Sequence, residues 1–298
     1  MRTSLFPRAF LLSLVLGTAH ASDILAPGAT LEKVASGFNF TEGPAADSKG
    51  NVYFTDQPND RILIWTLDNQ LETFMTPCGR ANGLYFDRND HLWACADEKN
   101  QLWKIDPDKN VTILLDKVNG KLFNGPNDLW ISPKGHVYFT DPYYKRAYWE
   151  REQDKLEVQG VYLFLPDLEE LHPVIEDLLQ PNGIIGTPDN KILYVSDIRD
   201  GKTYAYAIQE DGTLQDKRLF CEMGSDGMTL DEEGNVYLTN KEGVTVFNQH
   251  GERIENIPTG ASWTANVCFG GADGKTLFIT AMDGLYAISM NIRGARSQ

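Results

Sequence analysis

Six segments of this chain share one pattern, in which a polar residue opens a short apolar run that passes through a Gly, Asp or Asn turn into a second apolar run. The opening residues are Glu42, Asn82, Asn127, Asn182, Asp226 and Asn266. They are separated by 40, 45, 55, 44 and 40 residues, a period typical of four-stranded propeller blades. The segments lack the 3.6-residue apolar spacing of helical repeats. The sequence therefore predicts an all-β, six-bladed β-propeller of four-stranded antiparallel blades.

The six opening residues also predict a cation at the centre of the propeller. The first strand of each blade lines the central axis, so two carboxylates and four amides would meet there. Hard oxygen ligands without Cys or His favour Ca²⁺. Mg²⁺, Mn²⁺ and Zn²⁺ are the alternatives.

Residues 1–21 have the features of a secretory signal peptide. Arg2 and Arg8 lie in a positively charged segment that precedes an apolar stretch. The stretch leads into Ala19-His20-Ala21, an A-x-A cleavage site. The alternative is a membrane anchor, but the apolar run is far shorter than the roughly 20 residues that span a bilayer. We therefore expect cleavage after Ala21 and a periplasmic or secreted protein that is not held in the membrane. Residues 22–298 are expected to form a single propeller domain.

Charge and cysteine content limit the partners and the metal sites that this chain is expected to have. The formal net charge of −15 argues against nucleic acid or an anionic membrane surface as a partner. Four cysteines, Cys78, Cys95, Cys221 and Cys268, either form a disulfide in an oxidising compartment or remain buried thiols, and three pairings are open. None belongs to a C-x-x-C pair, so a zinc site built on cysteine is not expected.

Strand direction separates two faces of the predicted propeller. The hairpin turns that contain His91 and His136 lie at the ends of the inner strands away from the polar openings. The loops after the second strands return to the opening face, which we call the entrance. The longest of them, residues 142–160, is charged and aromatic and is either a lid or binding wall or a solvated surface loop. Arg80, Arg199 and Tyr143 are expected to bind substrate at the entrance.

The chain has no G-x-S-x-G, Walker, G-x-G-x-x-G or H-E-x-x-H motif, and no histidine is expected at the entrance. A cation, a nearby carboxylate and amides that hold substrate oxygens remain, and this set suits hydrolysis of a carbonyl or phosphoryl group. We expect Asp226 to act as base or nucleophile, because Ser225 and Gly227 leave open backbone on both sides of it. Glu42 is expected to be a ligand only. Asp56, Asp141 and Asp197, which end second strands, are expected to bond loop backbone.

At these residues the chain resembles the SMP-30/gluconolactonase/luciferin-regenerating-like family over about residues 30–290. The motifs that carry the resemblance are EGP at Glu42, FNGPNDL around Asn127, PNGI at Asn182, SDGM at Asp226 and NVCFGGADGKTLFIT near the end. The resemblance implies a six-bladed propeller with one divalent cation held by Glu42, Asn182 and Asp226. It also implies that Asn127 binds metal or substrate. Some relatives have Arg where this chain has Gly125, so Arg80 or Arg199 would have to replace it.

The resulting functional hypothesis is a calcium-dependent hydrolase that opens a sugar lactone such as glucono-1,5-lactone, because the motifs look most like the bacterial gluconolactonase branch. Asn82, Asn127 and Asn266 would orient the sugar. A metal-dependent phosphotriesterase-like hydrolase and a non-catalytic propeller with a structural ion are the alternatives. The sequence leaves the lactone, the cellular metal and the oligomeric state open.

Overall fold

The computed structural model describes residues 24–149 and 155–295, which form six four-stranded antiparallel sheets arranged as blades. The predicted six-bladed propeller is therefore confirmed. The predicted signal peptide lies outside the described residues, as does part of the 142–160 loop. Within the described ranges, no helix is long and apolar enough to cross a membrane.

The first strand of the chain, β1 (Glu32–Ser36), belongs to the last blade, and blades 1 to 3 follow it in order. Blade 1 contains β2 (Thr41–Ala46), β3 (Val52–Asp56), β4 (Arg61–Trp65) and β5 (Leu71–Met75), with a 3₁₀ turn at Gln57–Asn59. Blade 2 contains β6 (Ala81–Phe86), β7 (Leu92–Ala96), β8 (Gln101–Ile105) and β9 (Val111–Leu115). Blade 3 contains β10 (Leu129–Ile131), β11 (Val137–Asp141), β12 (Gly160–Leu165) and β13 (Glu170–Ile175).

Blades 4 to 6 repeat the arrangement. Blade 4 contains β14 (Pro181–Gly186), β15 (Ile192–Asp197), β16 (Lys202–Ile208) and β17 (Leu214–Cys221). Blade 5 contains β18 (Met228–Leu230), β19 (Val236–Asn240), β20 (Gly243–Phe247) and β21 (Arg253–Ile257). Blade 6 contains β22 (Asn266–Gly270), β23 (Thr276–Ala281) and β24 (Gly284–Ser289), and β1 completes it.

The ring closes through blade 6. Strand β1 pairs antiparallel with β24, with Glu32 opposite Ala287 and Ser36 opposite Gly284. The two ends of the chain thus meet in one sheet. This pairing covers the edge of the last blade, which would otherwise expose unpaired backbone groups.

Apolar side chains buried between neighbouring blades explain why the blades stack. The second strands are almost wholly buried, as in β11, whereas the outermost strands such as β5 and β9 are largely exposed. Aromatic and aliphatic side chains fill the space between neighbouring blades, for example Trp130, Tyr138 and Leu193 between blades 3 and 4. Each large apolar side chain buried in this way contributes about 1.5–3 kcal/mol. The stacked blades hold the first strands around the axis, where they contact one another in sequence.

Candidate functional site at the propeller axis

All six opening residues are buried at the start of the innermost strands, and none is more than 8% exposed. In blade 1 regular pairing is interrupted immediately after Glu42, and in blades 2 and 4 the interruption includes Asn82 and Asn182. Asn127 and Asp226 precede the paired part of their strands. Interruptions of this kind can re-aim a side chain at a functional position, and these five residues all lie at or outside the regularly paired part of their strands.

Glycine follows four of the opening residues because the next blade approaches too closely for a side chain. A Cβ atom at Gly43 would lie 2.1 Å from the carbonyl oxygen of Asn82, and one at Gly227 would lie 2.0 Å from the side chain of Asn266. These contacts link consecutive inner strands around the axis. They also correct the expectation of open backbone beside Asp226, since both Ser225 and Gly227 are buried and hydrogen-bonded.

Asp226 and Asn182 form the centre of the site. The amide nitrogen of Asn182 donates to Asp226 Oδ1 and to the hydroxyl oxygen of Tyr144, both at 2.9 Å. The indole nitrogen of Trp263 donates to Asp226 Oδ2. These bonds fix the planes of both side chains and leave Asn182 Oδ1 buried without a hydrogen-bond partner among the described residues.

Two further carboxylates share this environment. Burial, followed by the negative charge of Asp226, raises the pKa of Glu42 well above its usual range. Burial also raises the pKa of Asp226 to about 6, although the hydrogen bonds from Trp263 and Asn182 oppose the shift. Asp128, likewise buried, has its pKa raised to about 7, mainly by burial.

Asp128 was missed by the sequence reasoning. It follows Asn127 directly, at the place where the corresponding opening residues of four other blades are followed by glycine. That departure from the repeat is the signal that could have identified it. Its carboxylate accepts the backbone N–H of Leu129 at 2.9 Å and the amide of Asn266 at 3.3 Å.

Asn266 differs from the other opening residues. Its strand pairs regularly, with Asn266 opposite Thr280. Its amide oxygen accepts the Val267 N–H at 2.8 Å, and its amide nitrogen donates to Asp128. Together with Asp128 it lines a cavity of about 650 Å³ that opens on the hairpin face. Both amide atoms of Asn266 are therefore engaged, by Val267 and Asp128.

The residues at the entrance end of the axis fit a divalent cation. Asn182 offers an unpaired buried oxygen, and the side-chain amides of Asn82 and Asn127 have no hydrogen-bond partner among the described residues. Carboxylates that are buried without a cation disfavour their charged form, and oxygen donors of this kind suit calcium. Within the described ranges, no three His, Cys, Asp or Glu side chains form a metal cluster by themselves, so amide oxygens would have to complete the site.

The first described part of the 142–160 loop crosses the entrance, and we call residues 143–149 the strap. Asp97, which directly follows β7 of blade 2, anchors the strap. Its Oδ2 atom accepts a hydrogen bond from Arg146 Nε at 2.8 Å and one from the Tyr148 hydroxyl at 2.6 Å. The Trp149 indole donates to the Asp97 carbonyl at 2.7 Å. Because Tyr144 bonds Asn182 in blade 4, the strap joins blades 2 and 4 and forms a wall of the site.

The structure gives the surroundings of three residues that were predicted to bind substrate, and that role stays a prediction for each. Tyr143 packs on Trp149, with ring centroids 5.7 Å apart, and its neighbour Tyr144 is the tyrosine that reaches the site. The guanidinium of Arg80 lies 4.5 Å from the ring centroid of Tyr148 and donates to the Pro58 carbonyl at 2.6 Å, so Arg80 supports the strap. Arg199 is exposed in the turn after β15. Neither arginine contacts Glu42, Asn182 or Asp226.

Several other sequence predictions have clear outcomes. Asp56, Asp141 and Asp197 accept backbone N–H groups of the preceding loops, as expected. His91 and His136 lie at the hairpin face, and His172 pairs with Glu170 at 3.0 Å. The four cysteines are buried and free, so the disulfide alternative is wrong and the buried-thiol alternative is confirmed.

Fold and site together define the class of protein: a six-bladed β-propeller with buried carboxylates and amides at one end of its axis. The chain belongs to the SMP-30/Gluconolactonase/LRE-like family, whose pattern matches residues 40–283.

Individual relatives agree with this assignment. A gluconolactonase of Zymomonas mobilis is 29% identical over 287 residues, covering 87% of this chain and 80% of that protein. The solved structure of a gluconolactonase from Xanthomonas campestris is 27% identical with a TM-score of 0.83, covering 90% of this chain and 91% of that one. A calcium-binding protein, regucalcin from Agrobacterium tumefaciens, has a TM-score of 0.74 at 14% identity over 88% of this chain and 93% of that one, a likeness of fold alone.

Proposed function

We propose that this protein is a divalent-metal-dependent hydrolase that opens a sugar lactone such as glucono-1,5-lactone to its aldonic acid. The observation that carries the proposal is the unpaired buried oxygen of Asn182 beside the buried carboxylates of Asp226 and Glu42. The gluconolactonases that match most of the chain support the lactone as substrate.

The proposed metal ligands are Glu42, Asn182 and Asp226, with Asn127 as a further ligand or a substrate contact. Calcium is the proposed metal, because the donors are oxygen atoms of carboxylates and amides. When bound, the cation would polarise the lactone carbonyl as a Lewis acid. The amide nitrogen of Asn182 donates to both Asp226 and Tyr144, and these two bonds keep its amide oxygen directed away from both partners.

Asp226 is the proposed general base. Each of its oxygens accepts one hydrogen bond, which leaves a second lone pair on each oxygen to accept a proton from water. The two bonds also hold the carboxylate in one orientation, as a base requires. Asp197, another buried carboxylate at the end of a second strand, accepts the backbone N–H groups of Leu179, Gln180 and Asp200 and is committed to the loop.

Asn82 and Asn127 are proposed to orient the hydroxyl groups of the sugar. Both are buried at the axis, and their amides have no partner within the described residues. For Asn266, the bond to Asp128 supports a role in holding that carboxylate instead. We further propose that residues 1–21 direct export and that residues 22–298 form the single mature domain.

A panel of aldonolactones tests the proposal. Acid release would be measured with purified protein after chelation and again after calcium is restored. We expect hydrolysis that chelation abolishes and calcium recovers, with Glu210→Gln, an exposed position on the hairpin face, behaving as the parent protein. Activity that is indifferent to chelation would refute the metal dependence, and failure to hydrolyse any lactone would refute the activity itself.

A further inference from the structure

Arg146 has hydrogen-bond donors that the strap does not use. Its Nε donates to Asp97 Oδ2 at 2.8 Å, but an arginine has five N–H groups. The two terminal nitrogens donate to no described residue, and the side chain is 26% exposed. The guanidinium carbon lies 5.4 Å from the ring centroid of Tyr144. Four donors of a fixed planar group are thus left beside the tyrosine that touches Asn182.

These donors lie within electrostatic reach of the reaction centre. The charge of Arg146 acts on both Glu42 and Asp226 and lowers the pKa of each. The Tyr144 hydroxyl adds another donor, because its oxygen accepts the Asn182 amide and its proton has no acceptor among the described residues. The strap therefore places donors without a described partner beside Asn182, within electrostatic reach of the proposed base.

Gly125 explains why the donors come from the strap. A Cβ atom at Gly125 would lie 2.9 Å from Asp97 Oδ1 and 3.3 Å from the Trp149 ring. The anchored strap thus occupies the space that a side chain at position 125 would need. A long polar residue at that position and the strap in its present place exclude one another.

The surrounding charges indicate what these donors bind. Asp97 balances the charge of Arg146 through a direct ion pair, and a divalent cation would balance Glu42 and Asp226. Among the described residues of the strap and the proposed ligands, this leaves no excess positive charge to attract an anionic substituent. Donors without excess charge suit neutral oxygen acceptors, such as the hydroxyl groups of a sugar ring.

We propose that Arg146 is a substrate-binding residue that selects neutral lactones with hydroxyl groups near the ring carbonyl over alkyl lactones of the same ring size. The proposal rests on the proposed function, since it names the substrate class of the same site. Hydroxyl acceptors would pair with the free guanidinium donors, whereas an alkyl ring would leave them unpaired, and such unpaired polar groups drive discrimination.

Binding of two stable analogues tests this proposal separately from catalysis. Gluconolactam carries the hydroxyl groups and δ-valerolactam lacks them, and both resist hydrolysis. Affinities would be measured by calorimetry, in excess calcium chloride, for the parent protein, Arg146→Ala and Arg146→Lys. We expect Arg146→Ala to bind gluconolactam about 10- to 100-fold more weakly, with little change for valerolactam. Arg146→Lys should recover only part of the loss, because lysine lacks the planar fork.

Lys134→Ala is the control for loss of a cation elsewhere, because Lys134 pairs with the exposed Glu210 on the hairpin face and gluconolactam should bind as in the parent protein. Equal losses for both lactams, an equal loss in Lys134→Ala, or no loss in Arg146→Ala would each overturn the proposal. Selective binding without lactone hydrolysis would instead contradict the proposed function and leave this inference standing.

Discussion

At the scale of single residues, the centre of the propeller brings together three buried carboxylates. Glu42, Asp128 and Asp226 are all buried, and burial raises the pKa of each. Buried carboxylates are costly unless they are paired or bind a metal. They lie in blades 1, 3 and 5, so the three carboxylates alternate around the axis, an arrangement that supports the proposed cation.

Two conservative substitutions distinguish a metal ligand from a base. Asp226→Asn keeps an oxygen ligand but removes the base, so turnover should fall by about 10²- to 10⁴-fold while calcium still binds. Glu42→Gln also keeps an oxygen but reduces the charge of the site, so its main effect should be weaker calcium affinity. Steady-state rates measured across a calcium titration would show recovery in Glu42→Gln and none in Asp226→Asn.

Equal rescue of both variants by calcium would mean that Asp226 is only a ligand. Asp128→Asn provides the matched comparison, because Asp128 is a buried neighbour that does not bond Asn182 or Trp263. If Asp128→Asn loses as much turnover as Asp226→Asn, the assignment of the base to Asp226 is wrong.

At the scale of secondary structure, the repeat predicts the blades, but local breaks in that repeat decide the site. The opening residues and hairpin turns sufficed to place 24 strands in six sheets, because both signals are local in sequence. Asn266 lies in a strand that keeps regular register and bonds Asp128, a pairing that its sequence neighbours do not predict; its role towards substrate stays a prediction. Tyr144 and Arg146 were not predicted, because the path of a long loop depends on its distant anchor at Asp97.

A buried threonine or serine near the end of each of five second strands supports the opening of an inner strand. Thr239 shows this best: its hydroxyl accepts the Gly227 N–H at 2.8 Å and donates to the Ala265 carbonyl at 2.7 Å. Thr55 and Thr140 make comparable bonds to Asn82 and Asp128. This threonine or serine, just before the end of a second strand, was not predicted from the sequence to have a structural role.

Thr239→Val should therefore destabilise the protein despite its nearly unchanged shape. The substitution leaves the Gly227 N–H and the Ala265 carbonyl buried without this partner, which costs about 1–3 kcal/mol. Urea unfolding would measure the loss, with Thr112→Val on the exposed strand β9 as the control. A threonine-to-valine change there should alter stability by less than about 0.5 kcal/mol. Equal effects at the two positions would contradict the supporting role of Thr239.

At the scale of the whole molecule, the site exists only when the ring is closed. The proposed ligands Glu42, Asn182 and Asp226 come from blades 1, 4 and 5, and Asp128 of blade 3 contacts Asn266 of blade 6 across 138 residues of sequence. Strand β1 closes the ring by pairing with β24. A cation that binds ligands from distant blades would bind the folded ring far better than the unfolded chain, and so would stabilise it.

The stability of the metal-free protein should consequently depend on pH. In the folded state the pKa is about 6 for Asp226 and about 7 for Asp128, whereas an unfolded aspartate has a pKa of about 3.9. Between roughly pH 4 and pH 7 the folded state therefore binds protons that the unfolded state has released. The contribution of these two carboxylates to the stability of the metal-free protein is therefore most favourable at the acidic end of this window and falls as pH rises.

Calcium should oppose this fall, because it binds the deprotonated carboxylates and stabilises the folded state in proportion to RT ln(1 + [Ca²⁺]/Kd). The difference in Tm between calcium-loaded and chelated protein should therefore be larger at pH 8 than at pH 5.5, where protons occupy the same oxygens. Differential scanning calorimetry at both pH values measures it. Asp128→Asn removes one buried charge without removing a proposed ligand, so it should raise the Tm of chelated protein at pH 8 and flatten its pH dependence. A calcium effect that is the same at both pH values would show that the buried carboxylates do not hold the cation.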